Sequence, residues 1–362
     1  MSHRSTMCCT PAHRAHRRSG KVACPGLSPP FHNSRSADDA QTSASRTRSW
    51  QSHLPDFAGD TARRRLERRI GLFFVKWGNV ERNRSETQTN TKNGPDTDKV
   101  FTGSIPKLYE TYLVALIFEP YAADLVNRLA SRSVTRVLEI AAGTGVVTRN
   151  LASVLPESAS IVATDLNQPM LDLASAVGTR RPVEWRQADA MRLPFGDGTF
   201  DAVVCQFGVM FLPEKSKAFS EARRVLGPGG VFIFSVWDRI EENEFADTVT
   251  TALESLFPKD PPRFMARTPR GYHDCSTIER DPVSGGFTAS PRISTVAARS
   301  QAKSSRVPAI AYCQGTPLRN EIEARDSSRL GEATDIAAAA IARRFGPGAV
   351  EGKIQAHIVS IE

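Results

Sequence analysis

From residue 135 to residue 237 short apolar runs alternate with helix-periodic ones, and this alternation restricts the fold more than any other feature of the chain. Strands are expected at 135–140, 160–164, 182–187, 201–206 and 230–237, with helices near 145–155, 168–177 and 213–226. The runs "VLEI", "AVVCQF" and "VFIFSVW" are almost continuously apolar, as strands covered on both faces must be. Alternation of this kind builds βαβ units. The expected class is therefore α/β, a Rossmann-like, mostly parallel sheet with helices on both faces.

The flanks read differently. In "SIPKLYETYLVALIFEPYAADLVNRLAS" (104–131), Tyr109, Tyr112 and Leu116, then Tyr121, Leu125 and Leu129, recur at helical intervals, and Pro120 should divide the segment into two helices. After residue 238 a helix is expected at about 241–257, then a Pro-rich connection at 258–270. A short segment follows in which Ser276 and Glu279 have capping-box spacing. A strand near 292–298, a loop at 299–310, helices near 317–327 and 332–344 and a final strand at 354–362 complete the reading.

Charge is distributed unevenly. The chain carries a net +8, but residues 1–95 hold 17 Lys/Arg against 7 Asp/Glu, which leaves residues 96–362 at −2. That first segment is rich in Ser, Arg, Pro, Asn and Thr and is too polar to offset its ordering entropy, so a disordered basic extension is expected there. An organellar transit peptide shares that composition, and "RRRLERRIGLFFVKW" (63–77) could form a basic amphipathic helix at a membrane surface; an extension without such a role is the preferred reading. Cys8, Cys9 and Cys24, with five of the seven His, also fall in it. The remaining Cys205, Cys275, Cys313, His273 and His357 have no metal-ligand spacing, so no metal, a reducing compartment and a cytoplasmic location are expected. No apolar run reaches the roughly 18 residues of a membrane span.

The chemistry is concentrated where the first strand ends. "VLEIAAGTGVVTRNL" (137–151) runs from a strand through small residues into a helix, so Gly143 and Gly145 would leave main-chain N–H groups open to a ligand. Alone, such a turn serves dinucleotides, sulfonium cofactors and plain strand–helix connections alike. Asp165 closes the second strand 20 residues after Gly145, placed to accept ribose hydroxyls. Thr148 stands where a dinucleotide fingerprint needs a small residue, and a second acid, Asp189, follows the third strand. Neither Lys nor Arg lies between 139 and 147, which disfavours a phosphate cradle and suits a positively charged ligand.

"VLEIAAGTG", "ATDLNQPML", "ADAMRLPFGDGTFDAVVCQFGVMFLPE" and "EARRVLGPGGVFIFSVW", in this order over 137–237, resemble the successive motifs of class I S-adenosylmethionine-dependent methyltransferases. The type most resembled is that of methyltransferase type 11 and the ubiquinone/menaquinone-biosynthesis C-methyltransferases. The resemblance implies a seven-stranded sheet with a C-terminal antiparallel hairpin, a helical lid at 101–131, a cofactor-binding core at 132–238 and further lid and hairpin at 239–362. It implies S-adenosyl-L-methionine as cofactor and a small-molecule methyl acceptor as partner, with a homodimer as the candidate assembly. Carried over by position, it has Glu139 steadying the turn and the methionine amino group, and Ala141, Gly143 and Gly145 lining methionine and ribose. Asp165 then holds the ribose hydroxyls, Leu166 packs on adenine, Asp189 and Ala190 meet the adenine edge, and Gln206 and Phe207 border the methionine and face the acceptor.

In-line methyl transfer needs alignment above all, and a base only if the acceptor must lose a proton. His273 and Asp274 in "GYHD" are the candidate bases or orienting groups, His273 foremost, with a helix-start role as the alternative for Asp274. Tyr109, Tyr112, Tyr272 and Tyr312 are candidate walls, Trp237 and Asp238 pocket candidates at the end of the fifth strand, Cys205 and His357 structural. Pro282 should end or kink a lid helix. Two other functions compete with this reading. An NAD(P)-dependent oxidoreductase is opposed by Thr148, by Asp189 and by the non-alternating C-terminal half. A nucleic-acid-binding or modifying protein is opposed by the confinement of positive charge to the first 95 residues.

Overall fold

The computed structural model describes residues 97–362; the expectations for residues 1–95, including the helix at 63–77, lie outside them. In chain order the elements are α1 (Ile105–Leu108), a π-helical stretch (Tyr109–Phe118), α2 (Glu119–Ala130), β1 (Arg136–Ile140), α3 (Val146–Val154), β2 (Ser160–Asp165), α4 (Gln168–Val177), β3 (Glu184–Gln187) and β4 (Phe200–Gln206). Then follow α5 (Lys215–Val225), β5 (Leu226–Trp237), α6 (Glu244–Leu256), α7 (Phe264–Arg267), α8 (Cys275–Ser284), β6 (Arg292–Ala302), α9 (Arg306–Gln314), α10 (Leu318–Asp326), α11 (Leu330–Phe345) and β7 (Val350–Ile361).

The seven strands form one sheet in the order β3-β2-β1-β4-β5-β7-β6. The first five are mutually parallel and β7 runs antiparallel to both neighbours. The antiparallel C-terminal pair is joined through α9, α10 and α11 rather than by a tight turn. β1, β4 and residues 231–237 of β5 are buried almost throughout, as their nearly unbroken apolar sequences require.

Register decides where ligands can sit. Ile140 pairs with Thr164, Asp165 with Gln187, Glu139 with Val204 and Gln206 with Ser235. The carboxyl ends of β3, β2, β1, β4 and β5 therefore finish level with one another, forming the rim at which open α/β sheets bind ligands.

Four local expectations are corrected. Residues 299–310 are not a loop: β6 stays paired with β7 as far as Ala302 opposite Val350, and α9 begins at Arg306. The alternating polar residues of β6 hid it, because its outward face lies at the sheet edge. Ser276 is not the cap of α8; Asp274 is, accepting from Thr277 N at 2.8 Å. Pro282 does not end the helix, which continues to Ser284, and a Cβ on Gly285 would lie 2.4 Å from Phe219 Cβ. α8 thus packs against α5.

Pro120 acts more subtly than as a break. It occupies the first turn of α2, where its missing N–H costs nothing, and the turns before it widen into π-helix, with Glu119 N donating to Val114 O. The Leu116 carbonyl, which an α-helical residue at 120 would have reached, accepts from the buried Ser300 Oγ at 2.7 Å. The widened stretch directs Tyr109, Leu113, Ile117 and Phe118 at the rim.

Candidate active site

A cavity of about 400 Å³ lies along the rim, from Asp165, Leu166 and Asp189 at the β2–β3 end to Trp237 at the β5 end. The turn after β1 forms its floor. Ala141 and Phe207, at the ends of β1 and β4, both adopt left-handed backbone (φ 55° and 52°), uncommon for residues with a Cβ and typical of functional turns. Gly208 makes this pairing of turns possible: a Cβ there would stand 2.5 Å from Ala141 Cβ and 2.7 Å from Cys205 Sγ.

Asp165 holds the turn in place. Its Oδ2 accepts from Gly143 N at 2.9 Å and its Oδ1 from Asn167 N at 2.8 Å. Burial raises its pKa, and the hydrogen bonds from Asn167 and Gly143 oppose that shift. Behind the turn, Thr148 Oγ1 donates to the buried Glu139 Oε2 at 2.5 Å. Burial nevertheless pushes the Glu139 carboxyl up to about 8. The residue that spoiled the dinucleotide pattern is therefore the partner of the acid beneath the turn.

Of the residues expected to touch the cofactor, Ala141, Gly143, Asp165, Leu166, Asp189, Ala190, Gln206 and Phe207 line the cavity. Glu139 and Gly145 do not. Gly145 is left-handed (φ 85°), and a Cβ on it would stand 2.9 Å from the Trp185 ring, so its smallness serves packing against β3. Gly143, also left-handed, has only Met170 and Tyr109 within 4 Å of the corresponding point, both beyond 3.5 Å, and keeps a thin wall toward the cavity.

His273, the candidate base, stands apart from the cavity. It lies outside the lining, and its Nδ1 donates to the Arg270 carbonyl at 2.8 Å, so it braces a backbone turn. Tyr109 and Tyr312 line the cavity, whereas Tyr112 and Tyr272 do not; Tyr272 donates to Asp281 Oδ2 at 2.9 Å. Trp237 lines the cavity, stacked on Phe207 with centroids 3.8 Å apart and planes 2° apart. Asp238 instead accepts from Gln355 Nε2 at 2.6 Å and faces His357 Nε2 at 3.3 Å, a structural tie between β5 and β7. Burial lifts the Cys205 thiol to about 12, in keeping with an inert filler.

Sequence reasoning missed Gly208, Asn167, Phe101, Met170 and Arg270. A glycine directly after a strand end, as in "CQFGV", was a usable signal for Gly208. Arg270 had none, because it sits in an irregular Pro-rich connection.

The site fits a nucleoside with a cationic arm. Leu166 is 45% exposed at the rim, an apolar surface of the kind a base covers, and the buried Gln206 Oε1 has no hydrogen-bond partner. A family description, "Methyltransferase domain", matches residues 138–234. The ubiquinone/menaquinone biosynthesis C-methyltransferase UbiE of Pseudomonas aeruginosa (strain LESB58) is 30% identical over 216 residues, covering 51% of this chain and 84% of the relative. The chain belongs to the class I S-adenosylmethionine-dependent methyltransferases.

The UbiE of Pseudomonas fluorescens (strain Pf0-1) is 31% identical over 216 residues, again 51% of this chain and 84% of the relative. Among solved structures, the overlap with Haemonchus contortus phosphoethanolamine N-methyltransferase 2 has a TM-score of 0.44 at 14% identity, covering 71% of this chain and 56% of that one. By its family the methyltransferase described here is an enzyme whose cofactor is S-adenosylmethionine. Among its described residues no cluster of His, Cys, Asp or Glu could hold a metal ion, and no helix is long and apolar enough to cross a membrane.

Proposed function

We propose that this methyltransferase transfers the methyl group to a small molecule bound at the β4–β5 end of the cavity, with the nucleoside of the cofactor at the β2–β3 end. One observation carries the reading. A single cavity spans the ends of β2, β1, β4 and β5, three strand spacings or about 14 Å, with the two acids confined to one end.

In this reading Asp165 accepts from the ribose hydroxyls with the lone pairs left over from Gly143 and Asn167, Leu166 packs on the base, and Asp189 and the Ala190 N–H meet its edge. Met191 N already holds Asp189 Oδ1 at 2.9 Å, which orients that carboxylate. Ala141 and Gly143 line the methionine arm, and the unpaired Gln206 Oε1 accepts from its ammonium or from the acceptor. Glu139 stands behind the turn, fixed to α3 by the Thr148 hydroxyl.

The cofactor supplies a methyl group already activated by its sulfonium. The chain then has to align the acceptor, an effect worth roughly 7–11 kcal/mol when the geometry is good. Phe207, Trp237, Phe118 and Tyr121 form one connected aromatic group at that end, with centroids 3.8 to 6.1 Å apart. Phe207, Trp237 and Phe118, which line the cavity with Tyr121 buried behind them, exclude water and hold a planar or apolar acceptor. None of the lining side chains is a histidine.

A labelled-methyl assay across fractionated small-molecule extracts tests this directly. Transfer into low-mass product is expected. Transfer only into protein or nucleic acid would contradict it.

A further inference from the structure

At the β5 end of the cavity a positive charge stands without a counter-charge. Arg270 is 2% exposed, yet its Nε and Nη2 have no hydrogen-bond partner, and among the described residues it has no ion-pair partner. Its guanidinium carbon lies 5.2 Å from the centre of the Trp237 ring and 5.9 Å from that of Tyr312. The Tyr312 hydroxyl, also buried, faces the Arg270 guanidinium but makes no hydrogen bond within 3.5 Å. Both residues line the cavity.

An unpaired buried charge costs several kcal/mol. Desolvation already draws the Arg270 pKa downward. The fold nevertheless fixes the residue firmly. His273 Nδ1 holds its carbonyl, and a Cβ on the following Gly271 would lie 2.0 Å from Arg267 O, so only glycine permits this turn. Upstream, Arg267 bonds Asp98 Oδ1 at 2.7 Å and Glu321 Oε1 at 2.6 Å, while Glu321 Oε2 accepts from Arg263 N and Phe264 N. A network of buried acids thus anchors the segment that carries Arg270 and leaves Arg270 itself unmatched.

We infer that Arg270, with the Tyr312 hydroxyl, binds a carboxylate on the methyl acceptor. A guanidinium presents a planar fork that matches a carboxylate in two parallel hydrogen bonds, and only an anion offsets its charge. An unmodified phenol, with a pKa near 10, is neutral at pH 7 and would leave the charge unmatched. The acceptor is therefore an acid whose body lies against Trp237 and Phe207, with its carboxylate turned toward Tyr312. The cofactor also carries a carboxylate, but its arm lies over β1 and β4, whereas Arg270 stands on the side chain that ends β5. The inference rests on the reading that the cofactor's nucleoside occupies the β2 end.

Isothermal titration of the full chain, with and without S-adenosylhomocysteine, tests it using naphthoate and its neutral counterpart naphthamide. The wild-type protein should bind naphthoate at least about tenfold more tightly than naphthamide, the scale of one charge-assisted hydrogen-bonded pair. R270M should abolish the preference and leave S-adenosylhomocysteine affinity within about twofold. Equal binding of the two probes, or no naphthoate binding by the wild type, overturns the inference. So does a loss of S-adenosylhomocysteine affinity in R270M, which would give Arg270 to the cofactor's carboxylate. If R270M fails to fold, the wild-type comparison decides alone. Failure of the wild type to bind S-adenosylhomocysteine would instead count against the proposed function, and the probe preference measured without it would still judge Arg270.

Discussion

Thr148 Oγ1 donates to Glu139 Oε2 at 2.5 Å beneath the glycine turn, joining the first helical turn after β1 to the acid within β1. Glu139 is buried, with its pKa pushed up to about 8 by desolvation. The folded protein keeps that proton up to about pH 8, while an unfolded chain releases it in the ordinary carboxylate range. Stability should therefore fall as pH rises between those limits, by at most about 1.4 kcal/mol per pH unit from this group, and level off above them. Thermal unfolding of E139Q, which cannot ionise, should show a flatter profile over the interval. Identical profiles for variant and wild type would remove the assignment.

Substitutions in the turn should separate packing from binding. G143A meets only ordinary contacts but must hold φ 57°, so it should cost about 1 kcal/mol of stability and a larger share of cofactor affinity. G145A and G208A would drive a Cβ into Trp185 and into Ala141, and should each cost about 1–3 kcal/mol of stability. Paired measurements of melting temperature and S-adenosylhomocysteine affinity distinguish the two classes; a reversed order would mean that Gly145, not Gly143, faces the ligand.

His273 supports Arg270 through its backbone, so H273A should lower kcat by less than about tenfold and leave the pH dependence of kcat unchanged. A general base contributes roughly 100- to 10,000-fold. Loss on that scale, with loss of a limb of the pH profile, would restore His273 as the base.

The π-helical stretch is fastened to the turn by Arg149, which reaches Glu110 Oε1 at 2.9 Å and the Thr144 carbonyl at 2.7 Å. R149A should cost about 1 kcal/mol or less of stability, as expected for a partly exposed pair, yet speed release of S-adenosylhomocysteine. Stopped-flow displacement measures that rate. An unchanged rate would show that this contact does not govern access.

Much of this is legible in the sequence because the parallel half of the sheet writes its own signature. Buried strands read as apolar runs, and register brings together the residues that follow each strand end, so Ala141, Asp165, Asp189 and Gln206 can be grouped from their positions in the chain alone. What escapes depends on contacts distant in sequence. Whether Gly145 faces ligand or Trp185 is decided by β3, about 40 residues away. β6 reads too short because an edge strand alternates polar residues outward, and only its pairing with β7 reveals its length. Arg270 belongs to no element, and its isolation becomes visible only once everything around it is placed.

The most direct measurement is a crystal structure of the full chain with S-adenosylhomocysteine. The account predicts the ribose hydroxyls about 3 Å from the Asp165 carboxylate, the base against Leu166 and within reach of Asp189, and the sulfur toward Phe207. A nucleoside bound at the Trp237 end, or one that leaves Asp165 bonded only to Gly143 and Asn167, would contradict it.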